Sequence, residues 1–152
     1  MKAFQFSLQK VLNIKEALEE AAKIQMGQAL RRLEESRTIL LKLQKNLNAH
    51  VVRAEKFNGV KTDSHDLAMH FTHLHWLQEQ TEKQLQDVYK MEINVEKIRE
   101  RLLQFVKEVK IMEKLKEKEA GRWLTDQNHK EQNEMDEMAG QIFERNLLEV
   151  AE

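Results

Sequence analysis

Residues 74–123 read LHWLQEQTEKQLQDVYKMEINVEKIRERLLQFVKEVKIMEKLKEKEAGRW. Taken in sevens from Leu74, one column holds Leu74, Thr81, Val88, Val95, Leu102, Val109, Lys116 and Trp123. The column three residues later holds Leu77, Gln84, Met91, Ile98, Phe105, Met112 and Glu119. A largely apolar repeat of 3.5 residues, sustained this long, puts one narrow stripe on a helix that is polar elsewhere, and the stripe needs another helix to cover it. A helix of a globular bundle is the alternative, but such helices stop sooner and carry a wider apolar face. Lys116 and Glu119 fill late seam positions, so the seam is expected to fray toward Trp123.

Composition supports an elongated helical chain. The 152 residues are 34% charged and 6% aromatic, poor material for a compact globule. Proline is absent, where average usage gives roughly 7 to 8, and the four glycines leave little to interrupt a helix. The lack of cysteine excludes disulfides and any thiolate metal or nucleophile site. No apolar run approaches the ~18 residues that span a bilayer, and the N-terminus carries no signal-peptide core, which reads as a soluble, cytoplasmic protein. The net charge of −1 hides segregation: 11 basic and 6 acidic side chains in residues 1–57, 3 and 6 in 58–95, 9 and 6 in 96–122, and 2 and 8 in 123–152. The basic excess lacks interleaved aromatics, so no nucleic-acid partner is expected.

The first long segment carries Phe4, Leu8, Val11, Ile14, Leu18, Ala22, Met26, Ala29, Leu33, Leu40, Leu43 and Leu47 at helical spacing. Leu33, Leu40 and Leu47 keep a period of seven, whereas Val11, Ala22 and Leu33, and likewise Leu18, Ala29 and Leu40, are eleven apart, a repeat that unwinds a left-handed supercoil. Ala21, Ala22, Gly27 and Ala29 would allow close helix approach or leave a shallow trough, and Ser7 is a candidate N-cap. Turn residues gather only at residues 57–66: Asn58-Gly59 suits a helix stop, and Thr62, Asp63 or Ser64 can cap the next helix. So short a connection makes antiparallel neighbours. With the bend near residue 61, facing positions sum to about 122, which sets Leu33 near Tyr89 and Leu8 near Lys114.

The expected fold is all-α: two long helices in an antiparallel coiled-coil hairpin with an overhanging C-terminal helix. The boundaries read helix 1 over 4–57, turn over 58–66, and helix 2 over 67–150, with 119–152 overhanging in one domain. The overhang spaces Met135, Met138, Ala139, Ile142, Phe143, Leu147 and Val150 three or four apart, flanked by Glu131, Glu134, Asp136, Glu137 and Glu144. This is either an acidic docking helix or a frayed end.

Enzyme signatures are missing: no phosphate-binding glycine loop, no Gly-x-Ser-x-Gly, no His-Glu-x-x-His. Neither catalysis nor a cofactor is expected. His65, His70, His73 and His75 beside Trp76 suggest a metal site, but His75 sits about 160° around the helix from His73. They read as surface histidines, with a metal site or a pH-sensitive contact as the alternatives.

The opening Phe4-Gln5-Phe6-Ser7-Leu8-Gln9-Lys10-Val11-Leu12-Asn13-Ile14-Lys15-Glu16 resembles the start of FliJ proteins, the small coiled-coil component of the bacterial flagellar type III export apparatus. The segment Glu131-Gln132-Asn133-Glu134-Met135-Asp136-Glu137-Met138-Ala139, following Met112-Glu113-Lys114-Leu115-Lys116-Glu117-Lys118, looks like the end of that family. Asn58-Gly59 and Met69-His70-Phe71 are similar to its hairpin tip, so the resemblance spans the chain.

The resemblance implies a stalk-like hairpin inside the hexameric export ATPase. It also implies contact with the cytoplasmic part of the export gate, escort of export chaperones, and a peripheral place at the inner face of the cell membrane. ATPase-contact candidates are Phe4, Phe6, Leu8, Val11, Lys110, Lys114, Lys118, Met135, Asp136 and Glu137; gate-contact candidates are Phe71, His70 and His75. A free-standing coiled-coil chaperone or adaptor for helical clients is the alternative.

Overall fold

The computed structural model describes residues 3–57, 61 and 63–151. The fold is all-α, with two long helices packed antiparallel: α1, Gln9–Lys56, of 48 residues, and α2, Ser64–Val150, of 87 residues. The chain divides into two compact units. Unit 1 comprises Met1–Ala17 and Val106–Glu152, and unit 2 comprises Leu18–Phe105. Each has its own core.

Burial along α2 follows the sequence columns: no position in either one is exposed. α1 keeps the period of seven read at Leu33, Leu40 and Leu47 and departs from the eleven-residue spacing read before them. Over residues 11–57 the only covered positions are Leu12, Glu19, Met26, Leu33, Leu40, Leu47 and Ala54, together with Lys15, Ala22, Ala29, Ser36, Leu43, His50 and Phe57. That is a strict repeat of seven, the period of a left-handed coiled coil. Val11 and Leu18, from which the eleven-residue spacings were counted, are exposed, as is Ile14. The true seam was hidden because Lys15, Glu19, Ser36 and His50 occupy it.

Three of those polar seam residues, Lys15, Glu19 and Ser36, are supplied with polar partners. Lys15 donates to Glu108 at 2.9 Å in unit 1. Glu19 takes an ion pair from Lys23 at 2.8 Å, one turn on, and that hydrogen bond raises the Lys23 pKa. Ser36 is nearly sealed from solvent and receives Gln84 Nε2 at 2.8 Å on Oγ and 3.0 Å on its carbonyl. A buried polar pair of this kind fixes register more than it adds stability.

The unit 2 core gathers Ala29, Leu33, Leu40, Val88 and Val95, with Met26, Met91 and Ile98 packed against it. Its pairs keep the expected offset to within about two turns. Val88, rather than Tyr89, joins the cluster of Leu33, and Tyr89 is exposed. The unit 1 core joins Phe6, Leu12, Val109 and Met112, with Phe4 and Leu115 against it. There Gln9 accepts from Lys116 at 2.8 Å, while Leu8 and Lys114 are both exposed and off the seam.

The helix ends also differ in detail from the reading above. Residues 3–8 precede α1: Gln9 N–H donates to the Phe6 carbonyl at 3.2 Å, and Leu12 N–H to that of Leu8 at 2.9 Å. Ser7 is therefore a turn residue rather than the cap. α2 begins at Ser64, because Asp63 caps it: the His65 amide donates to Asp63 Oδ1 at 3.4 Å and the Leu67 amide to its carbonyl at 3.1 Å. The Asn58-Gly59 stop and Thr62 lie outside the described residues. Arg53 and Lys56 in the last turn of α1 complement its carbonyl end.

Two expectations separate the periods. Leu33→Ala should cost about 2–4 kcal/mol and Leu18→Ala no more than about 0.5 kcal/mol, read from urea unfolding followed by circular dichroism. A Cβ added at Gly27 meets nothing within 4 Å, so Gly27→Ala should stabilise the chain by roughly 0.5–1 kcal/mol in the same assay.

Candidate functional site

The candidate contacts fall in three places. In unit 1, Phe6 is buried with Leu12, Val109 and Met112, and the Phe4 ring lies 6.1 Å from that of Trp123, tilted by 55°. The Phe6 side chain is thus core rather than free surface. Leu8 and Val11 lie off the seam and are open to solvent, as are Lys107, Lys110, Lys114 and Lys118 on α2. Lys116 is the exception among these lysines, half-buried and donating to Gln9. The surface here is basic, with apolar side chains beside it.

Further along α2 the cover ends. Every described residue from 128 to 151 is exposed, including Met135 at 70%, Met138, Ile142, Phe143, Leu147 and Leu148. Asp136 and Glu137 flank these apolar side chains. The segment is helical throughout to Val150, so of the two expectations for this end the helix is the one observed. An ordered, uncovered and acidic amphipathic helix can dock against a basic apolar partner.

The third place is in unit 2, where the end of α1 meets the start of α2. Phe71 is 52% exposed; its ring nears only His70, at 6.1 Å, among the described ring contacts. His75 is exposed and pairs with Glu79 at 3.5 Å, within its own helix. His70 turns inward instead, packing edge-on against Phe57 at 5.2 Å with its Nε2 buried.

Sequence reasoning missed His50. It comes from α1 and lies 4.7 Å from His73 and 5.7 Å from His70, ring centre to ring centre. The register could have found it, since positions 50 and 73 sum to about 122. Among the described residues, no group of three or more His, Cys, Asp or Glu is placed to hold a metal ion. Troughs flank the unit 2 seam. One is lined by Gln28, Met91, Ile98 and Ala29, the last being the one of the four expected small residues to line it, and a more apolar one by Leu40, Leu85, Val88 and Tyr89.

Among the described residues no helix is long and apolar enough to cross a membrane. Burial makes one expectation specific to this site: Phe6→Ala should cost about 3 kcal/mol, whereas Val11→Ala should change unfolding by no more than about 0.5 kcal/mol, by chemical denaturation.

Searches of curated proteins and of solved structures give no match. A family model described as Flagellar FliJ protein matches residues 4–148 of the 152. With a match over nearly the whole length, and the helix pair and terminal motifs in place, the chain belongs to the FliJ family, and is a component of the flagellar export apparatus.

Proposed function

We propose that this protein is a non-enzymatic stalk or scaffold that links the hexameric export ATPase to the cytoplasmic part of the export gate and escorts export chaperones. The observation that carries this reading is in unit 1. A rod that works inside a ring must offer the six subunits an asymmetric surface. Here exposed Leu8 and Val11 stand beside solvent-facing Lys110, Lys114 and Lys118, and the same helix then runs on, uncovered and acidic, through Met135, Asp136 and Glu137. Bands of opposite charge at different heights favour orientation and fast encounter more than affinity, and their effect weakens with salt.

The gate contact falls to the exposed Phe71 and His75 of unit 2, with His70 as the ring behind Phe71. An exposed aromatic beside a rigid helix is a suitable anchor. Chaperone escort, and the alternative of a free-standing adaptor for helical clients, both draw on the exposed apolar face of residues 128–151.

Deleting residues 123–152, or changing Lys110, Lys114 and Lys118 to Glu, should reduce stimulation of the export ATPase and slow its association by about tenfold at low salt, with the rest of the chain still helical. Unchanged stimulation in both variants would place the ATPase contact elsewhere; failure of the full chain to bind the export ATPase, together with binding of helical export clients that is lost on deleting residues 123–152, would favour the adaptor reading. Phe71→Ala should weaken binding to the gate by about tenfold, roughly 1.4 kcal/mol, without loss of helicity or ATPase binding.

A further inference from the structure

The histidines expected on the surface form, in part, a cluster across the helix pair of unit 2. His50 of α1 meets His73 edge-on at 4.7 Å and His70 at 5.7 Å. Aromatic rings wall the cluster: Phe57 lies 5.2 Å from His70, and Trp76 stacks on His73 at 5.8 Å with 17° between planes. Within these walls, Nδ1 of His50 and Nε2 of His70 are buried without a hydrogen-bond partner.

A neutral imidazole tolerates this arrangement, because one of its nitrogens is a bare acceptor. A protonated imidazole does not, since both nitrogens then carry hydrogens and the ring carries a charge. The surrounding charges add to the penalty. On α1 the charged neighbour of His50 is Arg53, and on α2 the facing groups are His70 and His73. Asp66, one turn before His70, forms no ion pair with any of the three, and Glu79 is engaged with His75.

We infer that His50, packed against His70 and His73, is a proton-operated latch that holds the start of α2 against the end of α1 while its ring is neutral, and releases it on acidification. Burial of the ring, followed by the charges of His73, Arg53 and His70, lowers the His50 pKa from its ordinary value. The open end therefore binds protons more readily than the closed one. The latch is at full strength above about pH 6.5, the unfolded histidine value, and weakens as pH falls from there toward the depressed value. Release would rearrange the neighbourhood of Phe71, Trp76 and Met69 without requiring either helix to unfold beyond this end.

Hydrogen exchange with mass spectrometry on the full chain, in chelator, tests the latch at about pH 7.5 and about pH 5.5. After correction for intrinsic exchange, amides of residues 64–76 should lose protection by up to about tenfold per pH unit, while residues 88–98 keep theirs. His50→Phe keeps a ring and removes the charge, and should abolish most of that pH dependence. As a check that needs no variant, the His50 ring should titrate below the ordinary histidine value by nuclear magnetic resonance. Protection of residues 64–76 that is indifferent to pH would overturn the inference. So would wild-type pH dependence in His50→Phe, or a His50 titration at or above the ordinary value.

Discussion

Each unit rests on one contact, a seam between two helices, because among the described residues no third helix or strand closes over it. A two-helix layer cannot surround its core. The best-buried side chain, Leu12, still keeps 2% of its surface, and no described large side chain is sealed more completely. Stability is therefore spread thinly along the repeat rather than concentrated in a centre, and each seam position counts by what stands directly opposite. Alanine at positions 22 and 29 is buried but brings little apolar area, while Leu33, Leu40, Val88 and Val95 supply most of the grease in unit 2.

Such a seam has a weakness: apolar side chains repeated every seven residues fit almost as well when one helix slides by seven. Polar seam residues remove that degeneracy. Ser36 and Gln84 satisfy one another only in this register, and Lys15 finds Glu108 only in this register. In a shifted pairing Ser36 and Gln84 would face apolar side chains and leave a desolvated donor or acceptor behind, at about 1–3 kcal/mol apiece for neutral groups. These residues read as interruptions in a hydrophobic pattern, and in the folded chain they select one alignment.

The same residues explain what could be read from sequence. α2 was legible because its seam is largely Leu, Val, Ile, Met and Phe, and periodicity sees hydrophobicity. α1 was legible as a helix, but its phase was not: Val11, Ile14 and Leu18 are apolar and exposed, whereas Lys15, Glu19 and His50 are polar and inside the seam. Only the partner helix distinguishes the two cases, and the turn-centred register supplies that information. The N-terminal aromatics pack beside Val109 and Met112, and the fold-back that buries Phe6 ahead of the helix leaves no periodic mark in the sequence. The surfaces were legible as charge and apolar spacing, while the inward turn of His70 was not, because it depends on Phe57 and His50 from the other strand of the pair.

The run of α2 beyond its cover has a thermodynamic consequence. A peptide of some two dozen residues alone in water pays a steep nucleation penalty before any helix forms. Residues 128–151 avoid it, since they extend a helix whose earlier turns are already packed in unit 1, and adding each further residue is near neutral in free energy. A protein that lands on this segment meets a rigid template and does not have to fold one. Less of the interaction energy is then consumed in ordering, so a modest contact area can still give useful binding and release can stay fast.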